Sequence, residues 1–283
     1  MSCRLCSQDK PIRDSHIIPR YIRNWVLRTS VTGHMRSSDD PNKRIQDIFK
    51  RKLLCDDCEK LFKDYEDYFL DVIFKPIMNS YSPIINYNDK LLKFIVSISW
   101  RVLVVSLLNN ERPWKNIIHK QAAKKADNQW KDYLLNNCDL NGYEHHLLML
   151  RRIKDAPDIE GTDVNINWYF FRSVDATIVQ NSHESFVYTK IPGFALISPL
   201  QPSHFTHTNG TLITDSGTLD IHKQIPDNSV FEFLFNRSSQ VLSSLRKLNK
   251  KERDKINKAY SSNIDRIRLF FYTSLRVRYC NSL

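Results

Sequence analysis

The sequence predicts an α+β fold: a cysteine-stapled module at the N-terminus, a helical middle, a small β-sheet region and C-terminal helices. Three observations predict it. Two Cys-x-x-Cys pairs, Cys3/Cys6 and Cys55/Cys58, bracket the first part of the chain. Apolar residues recur at three- and four-residue steps through much of 56–136, which is the helical period. Between 164 and 198, β-branched and aromatic residues crowd into short runs separated by turn residues, which is how strands read. The expected segments are 1–80, 81–155 and 156–283.

Each element follows in order. Residues 20–28 place Tyr21, Trp25 and Leu27 or Arg28 at helical spacing, and 29–47 is polar with Gly33 and Pro41, a long loop. Residues 56–75 carry Leu61, Phe62, Tyr65, Phe69, Val72 and Ile73 on one helical face, with Pro76 as the expected stop. Further helices are expected over 88–108 and 114–136, while 144–152 fits a short helix or a strand. The run 94–108 is apolar except for Arg101 and polar serines, too short for a membrane span, and reads as a buried helix. Strands are expected at 164–173, 185–191 and 194–198, with turns at Asn181-Ser182 and Pro192-Gly193. Helical periodicity returns after Pro226-Asp227 and ends in an amphipathic stretch through Ile264, Ile267, Phe271 and Leu275. Trp25 and Trp100 read as core, as do the unpaired Cys138 and Cys280.

Composition narrows the function. Hydrophobic residues make up 41% of 283, enough for a core, so wholesale disorder is excluded. The six glycines form no GxGxxG, GxxxxGK[ST] or GxSxG pattern. That argues against dinucleotide, P-loop and α/β-hydrolase chemistry, which need clustered glycines at a phosphate or nucleophile turn. The polar N-terminus lacks an apolar signal core, so a cytoplasmic protein with no membrane partner is expected. The net charge is +11, and it is uneven: +5 over 1–60, −2 over 61–240 and +8 over 241–283. Two basic ends suit a polyanion, and DNA or RNA is the expected partner.

In a cytosolic chain six cysteines point to metal rather than disulfides. Both sulfurs of a CxxC turn can reach one ion, and two such turns complete the tetrahedron that Zn²⁺ prefers. Cys3, Cys6, Cys55 and Cys58 are therefore the expected structural zinc ligands. A zinc knuckle followed by a CxxC that opens a helix is a treble-clef layout.

The N-terminal part also resembles a nuclease superfamily. Cys3-x-x-Cys6, then Ser15-His16-Ile17-Ile18-Pro19, then Leu53-Leu54-Cys55-x-x-Cys58-Glu59 is similar to the HNH, or ββα-metal, endonucleases. It looks like a divergent SHIIP…LLCxxCE branch and covers about residues 1–75. The resemblance implies metal-dependent hydrolysis of phosphodiester bonds, in a context such as bacterial antiphage defence or a toxin effector. It implies His16 as general base, since a neutral imidazole near pH 7 can take a proton from water. It implies a divalent metal ion at the scissile phosphate, Mg²⁺ or Mn²⁺, which the carboxylate of Glu59 can ligate.

Three positions depart from the family pattern. Ser15 stands where an acid usually precedes the base, Glu59 where the helix usually opens on His, and Lys50 where an Asn is usual. Asn42 from the inserted loop is the substitute expected for that Asn, with Ser15 and Asp47 as further supporting residues; Asp14 and Glu66 are other acids close to the motif. Arg20, Arg23 and Arg28 beside the base, and Lys247, Lys250 and Lys251 near the C-terminus, are expected to meet phosphates. The alternative is a catalytically inactive zinc-finger module binding nucleic acid or a protein partner, the latter through the C-terminal region. The HxxH spacing of His204 and His207 reads as a polar loop, and the adjacent His145 and His146 point apart and share no metal.

Overall fold

In the computed structural model, residues 2–80, 82–109, 114–151, 153, 165–182, 184–202, 205 and 208–262 are described. Val164, His204, His207, Cys280 and the expected stretch from Ile264 to Leu275 lie outside them.

The N-terminal part is a hairpin with an insertion, followed by a helix. Strand β1 (Ile12–His16) pairs antiparallel with the later strand Lys50–Cys55, in the register His16↔Lys50, Ser15↔Arg51 and Asp14↔Lys52. Between them come α1 (Arg20–Thr29) and a ribbon of two short strands, β2 (Met35–Arg36) and β3 (Arg44–Ile45). The region 29–47, expected as loop, thus contains that ribbon. Lys50–Cys55 is β4, and α2 (Asp56–Tyr68) starts on the residue after Cys55.

The helix does not stop at Pro76. It widens into a π-helical stretch, Phe69–Phe74, and continues as α3 (Lys75–Ser80). Pro76 is the second residue of α3, where a missing N–H interrupts no established α-helical ladder. Phe69, Ile73 and Phe74 are buried, so the wide turn keeps their side chains on the core.

Next come β5 (Ile84–Tyr87), α4 (Asp89–Leu108), α5 (Ile117–Leu134) and β6 (His146–Met149). The open choice at 144–152 is thus a strand. α4 is 20 residues long and apolar enough to cross a bilayer by length and composition, which corrects the shorter span read from 94–108. Its place is the middle of the core, with 72% of its apolar window buried. A helix apolar all round is one surrounded on all sides.

The segment 164–173, expected as strand, is instead α6 (Ile166–Arg172). The Asn165 side chain caps it by accepting the Asn167 N–H, and Ile166, Tyr169 and Phe170 bury one face. Burial overrides the β propensity of an aromatic run. Then follow β7 (Asp175–Gln180), β8 (Ser185–Ile191), β9 (Phe194–Pro199), β10 (Gly217–Asp220), α7 (Asn228–Ser243), a 3₁₀ turn (Ser244–Lys247) and α8 (Lys250–Ser262).

The main sheet is antiparallel in the order β6-β9-β8-β7, and β10 pairs with β5. Pro192-Gly193 makes the β8–β9 turn, with Gly193 at φ +81, where a Cβ would meet the Met78 sulfur at 2.8 Å. Alternation along β8 and β9 sorts side chains into two cores. Val187, Ile191, Phe194 and Leu196 join the larger core, which also takes in α2, α4 and α5. Phe186, Tyr188, Ala195 and Ile197 join a smaller one with α6 and α7. The larger core runs from Cys3 to Leu219, so it draws on all three segments 1–80, 81–155 and 156–283.

Candidate metal centre and the His16 site

The cysteine cluster is assembled by a tight turn and a helix start. The Ser7 N–H donates to the Cys3 carbonyl at 2.9 Å and the Cys3 N–H to Gln8 O at 3.0 Å, with Ser7 at φ 59. This turn brings Cys6 beside Cys3, and the Arg4 N–H fastens it to Leu53 O at 2.8 Å. Cys55 ends β4 and precedes α2, with Cys58 inside the first turn. The four sulfurs lie within 4.8 Å of one another, and Cys6 and Cys55 are 3.8 Å apart. A tetrahedral Zn²⁺ with bonds of about 2.3 Å needs sulfur–sulfur edges of about 3.8 Å, so the cluster fits that ion.

Its electrostatics agree. Burial pushes the Cys3 thiol up, but the N–H groups of Cys6, Cys55 and Leu5 outweigh it and leave the thiol at about 7. Burial raises Cys6, and burial with the neighbouring Cys3 raises Cys58 far above the ordinary thiol value. Four thiolates do not sit together unaided, and a dication removes that conflict. The cluster is partly screened from water, since Cys3, Cys55 and Cys58 are buried and Cys6 is half-buried. Outside it, Arg13 grips Asp56 at 2.6 and 2.9 Å and Lys10 meets Asp57 at 2.8 Å, tying β1 to the start of α2.

His16 ends β1 at the other end of the hairpin. Its Nε2 lies 3.4 Å from Asp47 Oδ1 and is buried without a well-formed hydrogen bond. Burial lowers its pKa, and Lys50 adds to that, while Asp47 pulls the other way. The imidazole is therefore neutral near pH 7. Asp47 is held in turn by Arg23 Nε at 3.3 Å and by Lys50.

Beneath His16 lies a buried arginine. Arg101 of α4 is 2% exposed. Its Nη1 donates to the His16 carbonyl at 2.8 Å and meets Glu66 Oε1 at 2.9 Å, and its Nε reaches Ser97 O at 3.3 Å. The guanidinium also sits 5.3 Å from the Phe62 ring centroid. Burial pushes the Glu66 carboxyl up, and Arg101 pulls it back down. Glu59 Oε1, Arg101 Nη2 and the Tyr21 hydroxyl are all buried without a hydrogen-bond partner.

The remaining expected residues divide. Arg20 and Arg28 are exposed, as are Lys247, Lys250 and Lys251. Arg23 is not available in the same way, because its Nε donates to Gln46 O at 2.6 Å besides meeting Asp47. Ser15 is buried, and its hydroxyl accepts the Leu54 N–H at 3.2 Å. It thus holds the hairpin and does not replace an acid. Asn42 does not stand in for the missing Asn: its amide donates to Lys247 O at 3.0 Å and its carbonyl accepts the Asn249 N–H at 2.8 Å. Cys138, expected in the core, is exposed beside Gln129 in the turn after α5. Among the described residues the four cysteines are the one group of three or more ligating side chains close enough to hold an ion, and none forms around Glu59.

Two buried polar groups elsewhere are structural. His145 Nδ1 and Ser198 Oγ are 2.7 Å apart, and Ser198 shares a hydrogen bond with Ser99 of α4 at 2.7 Å. Burial takes the His145 pKa to about 3, so it stays neutral; His146 faces Thr211 and Glu144 instead. Lys190, fully buried, donates to the carbonyls of Tyr169 and Ser173 and so caps the C-terminus of α6.

Sequence reasoning missed the role of Arg101, although its signal was visible as the single charge within 94–108. The partners of Arg36, Arg44 and Glu252 had no local signal at all. Comparison with family models, with curated proteins and with solved structures finds no match for this chain.

Proposed function

We propose that the protein is a zinc-stapled nucleic-acid-binding protein in which the cysteine cluster holds the β1–β4 hairpin against α2. The single observation that carries the reading is the set of four sulfurs within 4.8 Å, with a 3.8 Å edge that suits Zn²⁺. The uneven charge and the exposed Arg20 and Arg28 support the polyanion partner. The test is zinc stoichiometry together with binding to DNA and RNA across a salt series. One zinc per chain and a steep loss of affinity with salt are expected. No zinc, or no binding near physiological salt, would overturn it.

A second reading, phosphodiester hydrolysis of the HNH kind, is favoured by one specific observation. The Nε2 of His16, the residue the resemblance implies as general base, is buried without a hydrogen-bond partner. A buried polar atom without a partner calls for an explanation, and a catalytic role is one. In this reading neutral His16 takes a proton from water, the hydroxide that remains attacks phosphorus as the bond to the leaving oxygen breaks, and that oxygen takes up a proton from solvent. Asp47 steadies the imidazolium that forms. Glu59 would be the carboxylate of this chain available to a hard divalent cation, which would supply neutralisation of charge on the phosphate. Incubating wild type and His16→Ala with DNA and RNA in Mg²⁺ and Mn²⁺ separates the readings. Equal behaviour of the two proteins leaves the binding module alone standing.

A further inference from the structure

The two basic ends of the chain lie some two hundred residues apart in sequence, yet the fold clamps one onto the other. Glu252, in the first turn of α8, is 8% exposed. Its Oε2 accepts from Arg36 Nη2 at 2.8 Å and from Arg44 Nε at 3.0 Å, one residue from each strand of the β2–β3 ribbon. Asn42, between those strands, closes the other side through Lys247 O and the Asn249 N–H. Asn249 in turn accepts the Glu252 N–H at 2.9 Å and so caps α8. The clamp therefore uses the one acid in the first turn of α8 and leaves Lys250, Lys251, Arg253 and Lys258 exposed.

The ribbon is also joined to the His16 site. His34 bridges Arg44 at 3.1 Å and Gln46 at 3.3 Å. Gln46 O accepts from Arg23, and Asp47 faces His16. Three steps along the chain lead from Arg44 to Asp47, which is at most about 11 Å. The N-terminus of α8 is thus held within a short reach of the hairpin that carries Lys50, Arg51 and Lys52, all exposed.

We infer that α8 is the second half of one phosphate-binding surface, fixed to the His16 module by the Glu252–Arg36/Arg44 and Asn42–Asn249 clamp, so that cations from both ends of the chain follow a single nucleic-acid backbone. The inference rests on the nucleic-acid reading above. A flexible basic tail would give up conformational entropy on binding, and a clamped helix presents its charges already ordered.

The experiment measures affinity for a DNA duplex and for single-stranded RNA over a salt series, with wild type, Glu252→Gln, Asn42→Ala and the double substitution Lys250→Gln/Lys251→Gln. Charge counting alone makes Glu252→Gln bind more tightly, because it raises the net charge by one. A composite surface makes it bind about 3- to 10-fold more weakly, with the slope of log affinity against log salt shallower by about one to two. Asn42→Ala, which changes no charge, and the double lysine substitution should shift affinity in the same direction. Hydrogen exchange should show lost protection of α8 in the two clamp variants, with zinc content unchanged. Should Glu252→Gln misfold, Asn42→Ala, which leaves the charge unchanged, still decides. Wild type that binds, beside clamp variants of unchanged or higher affinity, overturns the inference alone. Wild type that binds neither nucleic acid overturns the reading beneath it. Equal affinity for an acidic polypeptide at the same salt would make the surface a protein-docking one and overturn the inference.

Discussion

At one end of the β1–β4 hairpin four sulfurs converge within 4.8 Å of one another, and they form a set that one ion satisfies. At the other end His16 Nε2, and beneath it Arg101 Nη2, are buried with no hydrogen-bond partner. The two ends share strands and a helix but differ in what completes them. The cysteine end is built from residues at the two ends of the module and closes on itself. The His16 end needs α4, through the bond from Arg101 to the His16 carbonyl and the pair Arg101–Glu66. A metal staple supplies stability directly, whereas a buried ion pair is kept in place by everything around it.

The largest effect that would break this comparison is at the cysteine end. Stripping zinc with a chelator, or Cys55→Ser, should unfold the hairpin and the start of α2, because zinc binding of this kind is worth about 10–16 kcal/mol at neutral pH. Circular dichroism and zinc analysis check it. A metal-free protein with unchanged ellipticity and melting would show that the apolar core alone holds the module.

Next in size is the strut under His16. Arg101→Ala leaves Glu66 buried and unpaired and should cost about 3–5 kcal/mol. Arg101→Met together with Glu66→Met, which removes both charges and keeps volume, should cost far less. Urea unfolding of the two variants measures the gap. Equal losses would mean that Arg101 contributes by packing, through its stem and the Phe62 ring, rather than by pairing.

His16→Ala sharpens the contrast from the opposite side. Since the imidazole nitrogen makes no full hydrogen bond, fold and zinc content should survive, with a stability change of about 1 kcal/mol or less. Any cleavage activity should fall by about 10²–10⁴-fold, the worth of a positioned base. A variant that loses zinc or unfolds would place His16 among the structural residues.

The smallest effect is a pH dependence at the α8 clamp. Hydrogen bonds from Lys255, Arg36 and Arg44 hold the Glu252 carboxyl down at about 2, against an ordinary value of 4.5. A depressed folded pKa stabilises above the unfolded value and stops doing so as pH falls through the folded one. Docking of α8 should therefore be complete above pH 4.5 and weaken between there and about 2. Hydrogen exchange along α8 follows it, and Glu252→Gln should abolish the pH dependence. A wild-type profile flat across that window would remove Glu252 from the clamp.

Much of the N-terminal module was determined by the sequence alone. The two CxxC spacings pick out the four cysteines that converge, because each motif is short enough for local turn geometry to set both sulfurs. The apolar periodicity of α2, α4 and α5 fixes those helices within a few residues, since helix formation answers to neighbours three and four positions away. Even the isolated charge of Arg101 stood out against its apolar run. Tertiary structure decided the rest. An aromatic run at 166–172 has strand propensity but became α6, because an Asn165 cap and a core on one side outweighed it. Pro76 marked no end, because a π-turn carried the helix past it. Asn42 turned toward α8 and Arg23 toward Asp47 and Gln46, since each partner arrives from elsewhere in the fold. Pairings such as Arg36 with Glu252, or Arg101 with the carbonyl of His16, join residues that no local period relates. They exist only once the cores have packed and desolvation makes an unpaired charge costly.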